Sequence, residues 1–495
     1  MKELYKTLEN ICGNKYFILL FLPITVAFLL LYSYTTSPLF IHEGMDSAVF
    51  KTMGLAILRG KIPYVDIFDH KGPILYFINA FGQFLIPGRL GIFILQIIGL
   101  FTALIYWFKT ANIFVSKFVS FLSVLITLFV YGGVIQEGNQ CEEWMLIFFT
   151  ISLYYILKFF TQDNLSAHQW RYSLIYGLCF GCTFFIRPND AVAQIGGIML
   201  GLSIWLIYKR AYQNLLKNIL SFSVGFIFVA LPIIIYFAYY NAIDDMLYGL
   251  IGFNSGYAGG IKNTIMSFMA KKKQVLLLLF VALALIVPSN KRKVLYALIP
   301  ILCIQLVLLG RNYFPHYYIV LLPIILVYIA FLFTLHDRKL QIIAIAIFCL
   351  STPFGDRQII KPSRKEFVYR VKLLKEREKF EKFYAETDKL LSHIPCDEQN
   401  NVWNHNLAWG TTPNFSVLLH YGIVQSNLIT FAEDKKLLAI DDILEHTPKW
   451  VVAENHKGHW RRNMFKTDSL LNSLYECIAT TDTAICHLEL YHLKQ

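Results

Sequence analysis

An apolar run from Tyr16 to Tyr34 opens the chain, and runs of the same kind recur at 90–107, 114–134, 144–160, 172–186, 191–208, 219–240, 275–289, 294–310, 318–335 and 340–353. A helix needs about 20 apolar residues to cross roughly 30 Å of hydrocarbon, so these runs predict about eleven transmembrane helices. The first run lacks a small-residue cleavage site and reads as a retained span. Lys2, Lys6 and Lys15 precede it, which puts the amino terminus in the cytoplasm by the positive-inside rule. Alternation from that start leaves Lys109 and Lys117, Lys158 and Arg171, Lys209 and Arg210, Lys291 to Lys293, and Arg338 and Lys339 on the inner side. Lys271, Lys272 and Lys273 are the exception, an outward basic cluster in the segment 241–274.

Residues 35–88 then form an outer loop that is not uniformly polar. Val49, Phe50, Met53, Ala56 and Ile57 recur at helical spacing between Asp46 and Leu58, and Gly60 with Pro63 ends that pattern. Pro73 to Leu85 is apolar but too short for a span. Both stretches predict helices lying along the outer membrane surface. From Gly355 to Gln495 the composition changes. Lys372 to Lys382 reads as a solvated amphipathic helix, and Asn401-Val-Trp and Lys449-Trp-Val-Val-Ala-Glu as short buried strands. An odd number of spans leaves this tail outside. The expected organisation is a polytopic α-helical membrane domain over 1–354 and a soluble extracytoplasmic α/β domain over 355–495.

Composition narrows the class without naming the chemistry. Of 495 residues, 56% are hydrophobic and 16% aromatic, far too apolar for a soluble protein. The net charge of +12 sits at span ends, where it sets topology, and no basic stripe with stacking platforms accompanies it, which argues against nucleic acid as a partner. The nine cysteines show no metal-ligand spacing, and the Cys179/Cys182 pair lies inside an apolar helix, where thiols pack as small hydrophobes.

The polar residues that this topology puts outside carry the candidate chemistry: Asp46, Asp66, Asp69, His70 and Lys71, then Glu137, Glu142 and Glu143, then Arg187, Asn189 and Asp190, then Arg311, Asn312, His316 and Tyr317. Ionisable groups beside a bilayer are costly and mark chemistry or transport. Asp46 heads a helix, where a carboxylate either caps free N–H groups or, held ionised by the helix terminus, accepts a proton as a general base. In Asp69-His70-Lys71-Gly72-Pro73, proline suits the first helical position, and the free N–H groups with Lys71 make an anion site, set against a lysine that merely snorkels. Glu142 and Glu143 open a span together and would bind a divalent cation, hold an acceptor, or decorate the helix N-terminus. Arg187 is placed to contact phosphate or to act as an interface hinge. Arg311 to Tyr318, with His316 and Tyr317, combines a cation, an imidazole and ring faces suited to sugar and phosphate, or forms an aromatic interface belt.

No P-loop, nucleophile elbow or HExxH occurs, so a bound phosphate points to a lipid rather than a nucleotide. A first span, an outer loop with an early Asp46, two surface helices and Phe68-Asp69-His70-Lys71-Gly72-Pro73 before an apolar helix resemble the GT-C superfamily of integral-membrane glycosyltransferases. The likeness is to the family 39 group of protein O-mannosyltransferases and lipid A aminoarabinose transferases. It implies a hexosyl- or pentosyltransferase in a bacterial-type plasma membrane, moving a sugar from a polyprenyl-phosphate donor to an extracytoplasmic glycan, lipid or protein with inversion. By that resemblance Asp46 takes the place of the essential acid and Lys71 that of the lysine at the lipid phosphate, joined there by His70, Arg187 and Arg311. Asp69, Glu142, Glu143, His316 and Tyr317 are left for an acceptor or a metal. Two departures stand out: Ser47 follows Asp46 where the family has an acid, and Gly72 replaces the first proline. The rival readings are a lipid-linked oligosaccharide flippase, which calls for charges along a central path, and a polysaccharide polymerase or ligase.

Overall fold

The computed structural model describes residues 2–42, 44–162, 165, 167–254, 286–308, 315–335, 337, 339, 341–342, 360–395, 402–404, 426–427, 443–444, 447–454, 468–482 and 487–494. The helices in chain order begin with α1 (Lys2–Gly13), α2 (Phe21–Tyr32), α3 (Met45–Leu58), α4 (Pro73–Leu85), α5 (Arg89–Ala111), α6 (Lys117–Val134), α7 (Cys141–Phe160) and α8 (Trp170–Phe184). They continue with α9 (Pro188–Ala191), α10 (Gly197–Tyr208), α11 (Tyr212–Tyr239), α12 (Ile243–Leu247), α13 (Leu295–Leu308) and α14 (Leu322–Leu332).

Among the described residues, six helices are long and apolar enough to cross a membrane: Lys15–Tyr32, Arg89–Ala111, Cys141–Phe160, Pro188–Tyr208, Tyr212–Tyr239 and Pro315–Leu332. The expected runs at 114–134, 172–186 and 294–310 also form helices, α6, α8 and α13, but shorter ones. Most of 275–289 and 340–353 lies outside the described residues, as do Lys271 to Lys273. Burial sorts the spans by position. Pro315–Leu332 is 89% buried and forms the middle of the bundle, whereas Tyr212–Tyr239 is 17% buried and shows its apolar side chains outward, as a lipid-facing helix does.

The outer loop departs from expectation. α4 does keep an exposed apolar edge, with Phe84 71% accessible, and suits a membrane surface. α3 does not: Ser47, Val49, Phe50, Lys51, Thr52, Met53 and Ala56 are all buried. The helix is enclosed rather than laid on a surface, and even the Lys51 ammonium is turned inward to the Thr35 carbonyl at 2.9 Å. An enclosed helix reads as only weakly amphipathic, because neighbours cover its polar positions too.

The tail begins with a helix that packs on the ends of α2 and α6. Helices α15 (Ile360–Lys375) and α16 (Arg377–Leu391) break at Glu376, so the solvated helix expected over Lys372 to Lys382 is two helices. Arg370 is 3% exposed and donates to the carbonyls of Tyr32, Ile135 and Gln136 at 3.2, 3.0 and 2.9 Å. Those carbonyls end α2 and α6, where the last C=O groups of a helix lack internal partners, so one guanidinium caps two spans. The strands are β1 (Ile67–Phe68) in the outer loop, then β2 (Val402–Asn404), β3 (Ser426–Asn427), β4 (Trp450–Glu454), β5 (Tyr475–Asp482) and β6 (His487–Leu493), with α17 (Ser469–Leu474) before β5. The last part of the chain builds a four-stranded mixed sheet in the order β2-β4-β6-β5, packed through Trp450, Val452, Leu488 and Leu490 on Phe383, Leu390 and Leu391 of α16. Strand β3 pairs in parallel with β1.

At the end of α7 away from its acidic first turn, His168 is 2% exposed, with Nδ1 2.7 Å from Asn218 Oδ1 and Nε2 3.3 Å from the Tyr176 hydroxyl. Burial pushes its pKa down to about 4, with the Asn218 contact opposing. An imidazole that titrates lower in the folded than in the unfolded chain stabilises fully above pH 6.5, and that stability is lost as pH falls toward 4. By pH 5 the expected loss is about 2 kcal/mol. Thermal unfolding in detergent at pH 7 and pH 5 should show a smaller acid drop for His168→Gln than for the unaltered protein; equal drops would remove His168 from the effect.

Candidate active site

Asp46 is the second residue of α3, and Gly44 occupies the cap position in extended conformation. Of the two readings of Asp46, the one in which it occupies the cap position does not hold. Gly44 packs closely on the Glu137 side chain, which would have to shift to admit a Cβ at position 44. Freed from capping, the half-buried Asp46 carboxylate sits in the first turn of α3, within electrostatic reach of His70, Lys71, Glu142 and His316. Beside it, the Ser47 hydroxyl accepts a 3.1 Å hydrogen bond from Asn139, whose amide also donates to Asn79 at 2.8 Å and accepts from the Trp144 indole at 2.9 Å. Asn139 is fully buried with φ +61°, a conformation asparagine tolerates better than most residues, and it ties α3, α4 and α7 together at one point.

Lys71 arrives on a rigidly held loop. Gly72 N donates to the Ile186 carbonyl at 2.9 Å and Ile74 N to the Phe185 carbonyl at 3.1 Å. A side chain at 72 would bring Cβ within 2.1 Å of the Phe185 oxygen, which is the physical demand that Gly72 meets. Pro73 is the first residue of α4, as expected. The free N–H groups expected there for an anion are not free: Pro73 has none, Gly72 and Ile74 are used, and Lys71 N donates to the Tyr76 hydroxyl at 3.0 Å. Any anion recognition at this corner falls to the side chain of Lys71.

That side chain is embedded in a chain of contacts. Its Nζ is 2.8 Å from His70 Nε2, His70 Nδ1 is 3.3 Å from Asp69 Oδ1, and Asp69 Oδ2 accepts from the Tyr76 hydroxyl at 2.9 Å. Burial pushes the Asp69 carboxyl up, but Lys71 and His70 outweigh it and hold it well below the usual carboxylate range. Burial and then the Lys71 charge lower the His70 pKa. Burial pulls the Lys71 pKa down, but Asp69, followed by Cys141 and Asp46, outweighs it and holds Lys71 above the ordinary lysine value. Asp69, expected at an acceptor or a metal, is fully buried and faces its neighbours in the loop.

The two acids of α7 point apart. Glu143 closes a capping box with Gln140 and accepts from Gln96 at 3.1 Å. Glu142, 2% exposed, pairs with the Arg187 guanidinium, which also meets Asp190 at 3.2 Å and lies 4.2 Å over the Tyr317 ring. Gln305 donates to the other oxygen of Asp190 at 3.0 Å. A cation bridging Glu142 and Glu143 does not fit this division, and among the described residues no group of three or more His, Cys, Asp or Glu is set to hold a metal ion. His316 bonds Gln136 through Nδ1 and packs edge-on against Tyr317. Arg311 and Asn312 lie outside the described residues.

Asp46, Lys71, His70, Glu142, Arg187, His316 and Tyr317 thus gather at one end of the bundle from four separate stretches of chain. Tyr76, Tyr64, Asn139 and Gln136 were not singled out in the sequence. Tyr76 had a signal, a hydroxyl on the buried face of a helix, which must find a partner. Asn139 had none beyond its place in a Gly-Asn loop.

No protein-family model matches this chain, and no curated protein matches it. In fold it is similar to the crystal structure of apo ArnT from Cupriavidus metallidurans, at 11% identity and a TM-score of 0.55, over 96% of this chain and 97% of that one. ArnT from the same organism bound to undecaprenyl phosphate aligns over 97% and 98% of the two chains at 9% identity, with a TM-score of 0.56. The architecture is accordingly similar to that of ArnT over nearly the whole length of both chains.

The split between the α7 acids is measurable as stability. Glu142→Ala leaves the half-buried Arg187 with Asp190 as its remaining carboxylate and should cost about 1–3 kcal/mol. Glu143→Gln keeps a capping acceptor and should stay within about 1 kcal/mol. Comparable losses on thermal unfolding would show that the two acids are not separated as described.

Proposed function

We propose that the chain is a membrane glycosyltransferase that moves one sugar from a polyprenyl-phosphate donor to an acceptor on the outer face of a bacterial-type plasma membrane. What supports this reading is that one carboxylate, Asp46, and one ammonium, Lys71, both from the first outer loop, lie within electrostatic reach of each other in a fold similar to that of ArnT. A solved structure of that fold, ArnT, is described as bound to undecaprenyl phosphate.

In this reading the acceptor hydroxyl or amine gives its proton to Asp46 as its oxygen or nitrogen bonds to the anomeric carbon. The bond between that carbon and the phosphate oxygen breaks, its electron pair stays on the phosphate, and Lys71 stabilises the growing charge. Attack opposite the leaving group inverts the anomeric centre. Arg187 is already balanced by Glu142 and Asp190, so its contribution is to hold the Tyr317 ring and the site wall, and Lys71 carries the interaction with phosphate. Helices α15 and α16, seated on the ends of α2 and α6 through Arg370 and on the outer loop through a contact between the Phe380 and His42 rings 3.8 Å apart, give the tail a place from which to meet the acceptor. A flippase calls for charges spaced along a central path, whereas the ionisable groups here bank at one end.

Purified protein given polyprenyl-phosphate sugars should release free carrier phosphate. Asp46→Asn should lower the rate by about a hundredfold to ten-thousandfold while donor binding stays unchanged, since the amide keeps the size of the side chain. Full activity in that variant would exclude Asp46 as the base. Lys71→Ala should raise the donor KM by at least about tenfold, as expected for loss of a charged contact, and an unchanged donor KM would remove its phosphate role.

A further inference from the structure

The contacts around Lys71 do more than bury it. Its backbone is pinned on both sides by tyrosine hydroxyls: Lys71 N donates to Tyr76 Oη at 3.0 Å, and the Lys71 carbonyl accepts from Tyr64 Oη at 2.6 Å. Tyr64 is itself fixed, with φ +70° and its ring wedged between Tyr76 and Phe237 at centroid distances of 5.9 and 5.7 Å. The Tyr76 hydroxyl lies within donating distance of both Asp69 Oδ2, at 2.9 Å, and the Lys71 carbonyl, at 3.0 Å, and Asp69 is a carboxylate with no exposed surface. The His70 ring is stacked 5.2 Å from Phe253, and its carbonyl accepts from Asn254 at 2.8 Å, so neither its backbone nor its ring plane is left to drift.

The proton positions follow from the partners. Asp69 accepts only, so the His70 nitrogen facing it, Nδ1, carries the proton. Nε2 is then a lone pair, and the Lys71 ammonium donates to it at 2.8 Å. With Nε2 occupied in this way, His70 has no N–H to offer a phosphate. One of the three ammonium protons is committed and fixes the direction of the other two.

From this geometry we infer that His70, oriented by Asp69 and Tyr76, is a positioning residue that aims the Lys71 ammonium at the donor phosphate and does not itself touch the donor. The inference rests on the transferase reading and deepens it. A lysine on a free four-carbon stem samples many rotamers, and ordering it on binding costs affinity. A lysine already bonded to a braced imidazole has met that cost in folding.

The test is binding of undecaprenyl phosphate to the full-length protein in detergent, read without any transfer step. His70→Leu should weaken binding by about tenfold to a hundredfold, the range for a misplaced contact group, with thermal unfolding close to that of the unaltered protein. His70→Gln, whose amide oxygen can replace Nε2 as acceptor, should recover part of the loss. The deciding measurement is the double variant. If His70 acts through Lys71, His70→Leu adds nothing in a Lys71→Ala background. A full further loss in that background would put His70 on the phosphate itself and overturn the inference. So would binding by His70→Leu equal to that of the unaltered protein. Absence of binding by the unaltered protein would overturn the donor reading and, with it, this inference.

Discussion

At Gly72 two distant parts of the chain meet backbone to backbone, and the candidate site depends on that meeting. Gly72 and Ile74 donate to the carbonyls of Ile186 and Phe185, in space that admits no side chain at 72. The residues on either side of this seam are Lys71 and Arg187. The hydrogen bonds that join the loop before α4 to the end of α8 therefore also set the spacing of the two cations. Neither cation could reach the other by choice of rotamer alone, since each is tied to its own acids: Lys71 to Asp69 through His70, Arg187 to Glu142 and Asp190.

This arrangement answers the main energetic difficulty of the site, which is charge beside hydrocarbon. An unpaired ion at that depth costs several kcal/mol, and the protein meets the cost by pairing buried groups with one another. The pairing also sorts the residues by role. Arg187 is matched by two carboxylates, and Asp69 by its loop neighbours, so these are parts of the frame. Asp46, by contrast, is half-buried in the first turn of α3, and Lys71 has one donor committed to His70.

The frame extends beyond the site. Asn139 gathers α3, α4 and α7 with one side chain, and Arg370 of α15 closes the carbonyl ends of α2 and α6. Both are polar groups doing at the outer edge of the bundle what apolar packing does in its middle, because helix ends and loops there expose backbone donors and acceptors that must be satisfied.

The apolar runs, their length against the bilayer, and the banking of acids and histidines between them were legible in the sequence, because hydrophobic periodicity and charge are local properties of a chain. So were α3 and α4, with Pro73 at its start, and the strands at 402–404 and 450–454. The enclosure of α3, the division of Glu142 from Glu143, the commitment of Arg187 to acids and the inward turn of Asp69 were not. Each depends on which atoms from remote segments arrive at 3 Å, and adjacent residues on one helix point about 100° apart whatever their chemistry. The sequence alone determined that ionisable groups would lie between the apolar runs. Only the tertiary structure decided which of them neutralise one another and which are left to act, because pairing is settled by distance and direction across the fold.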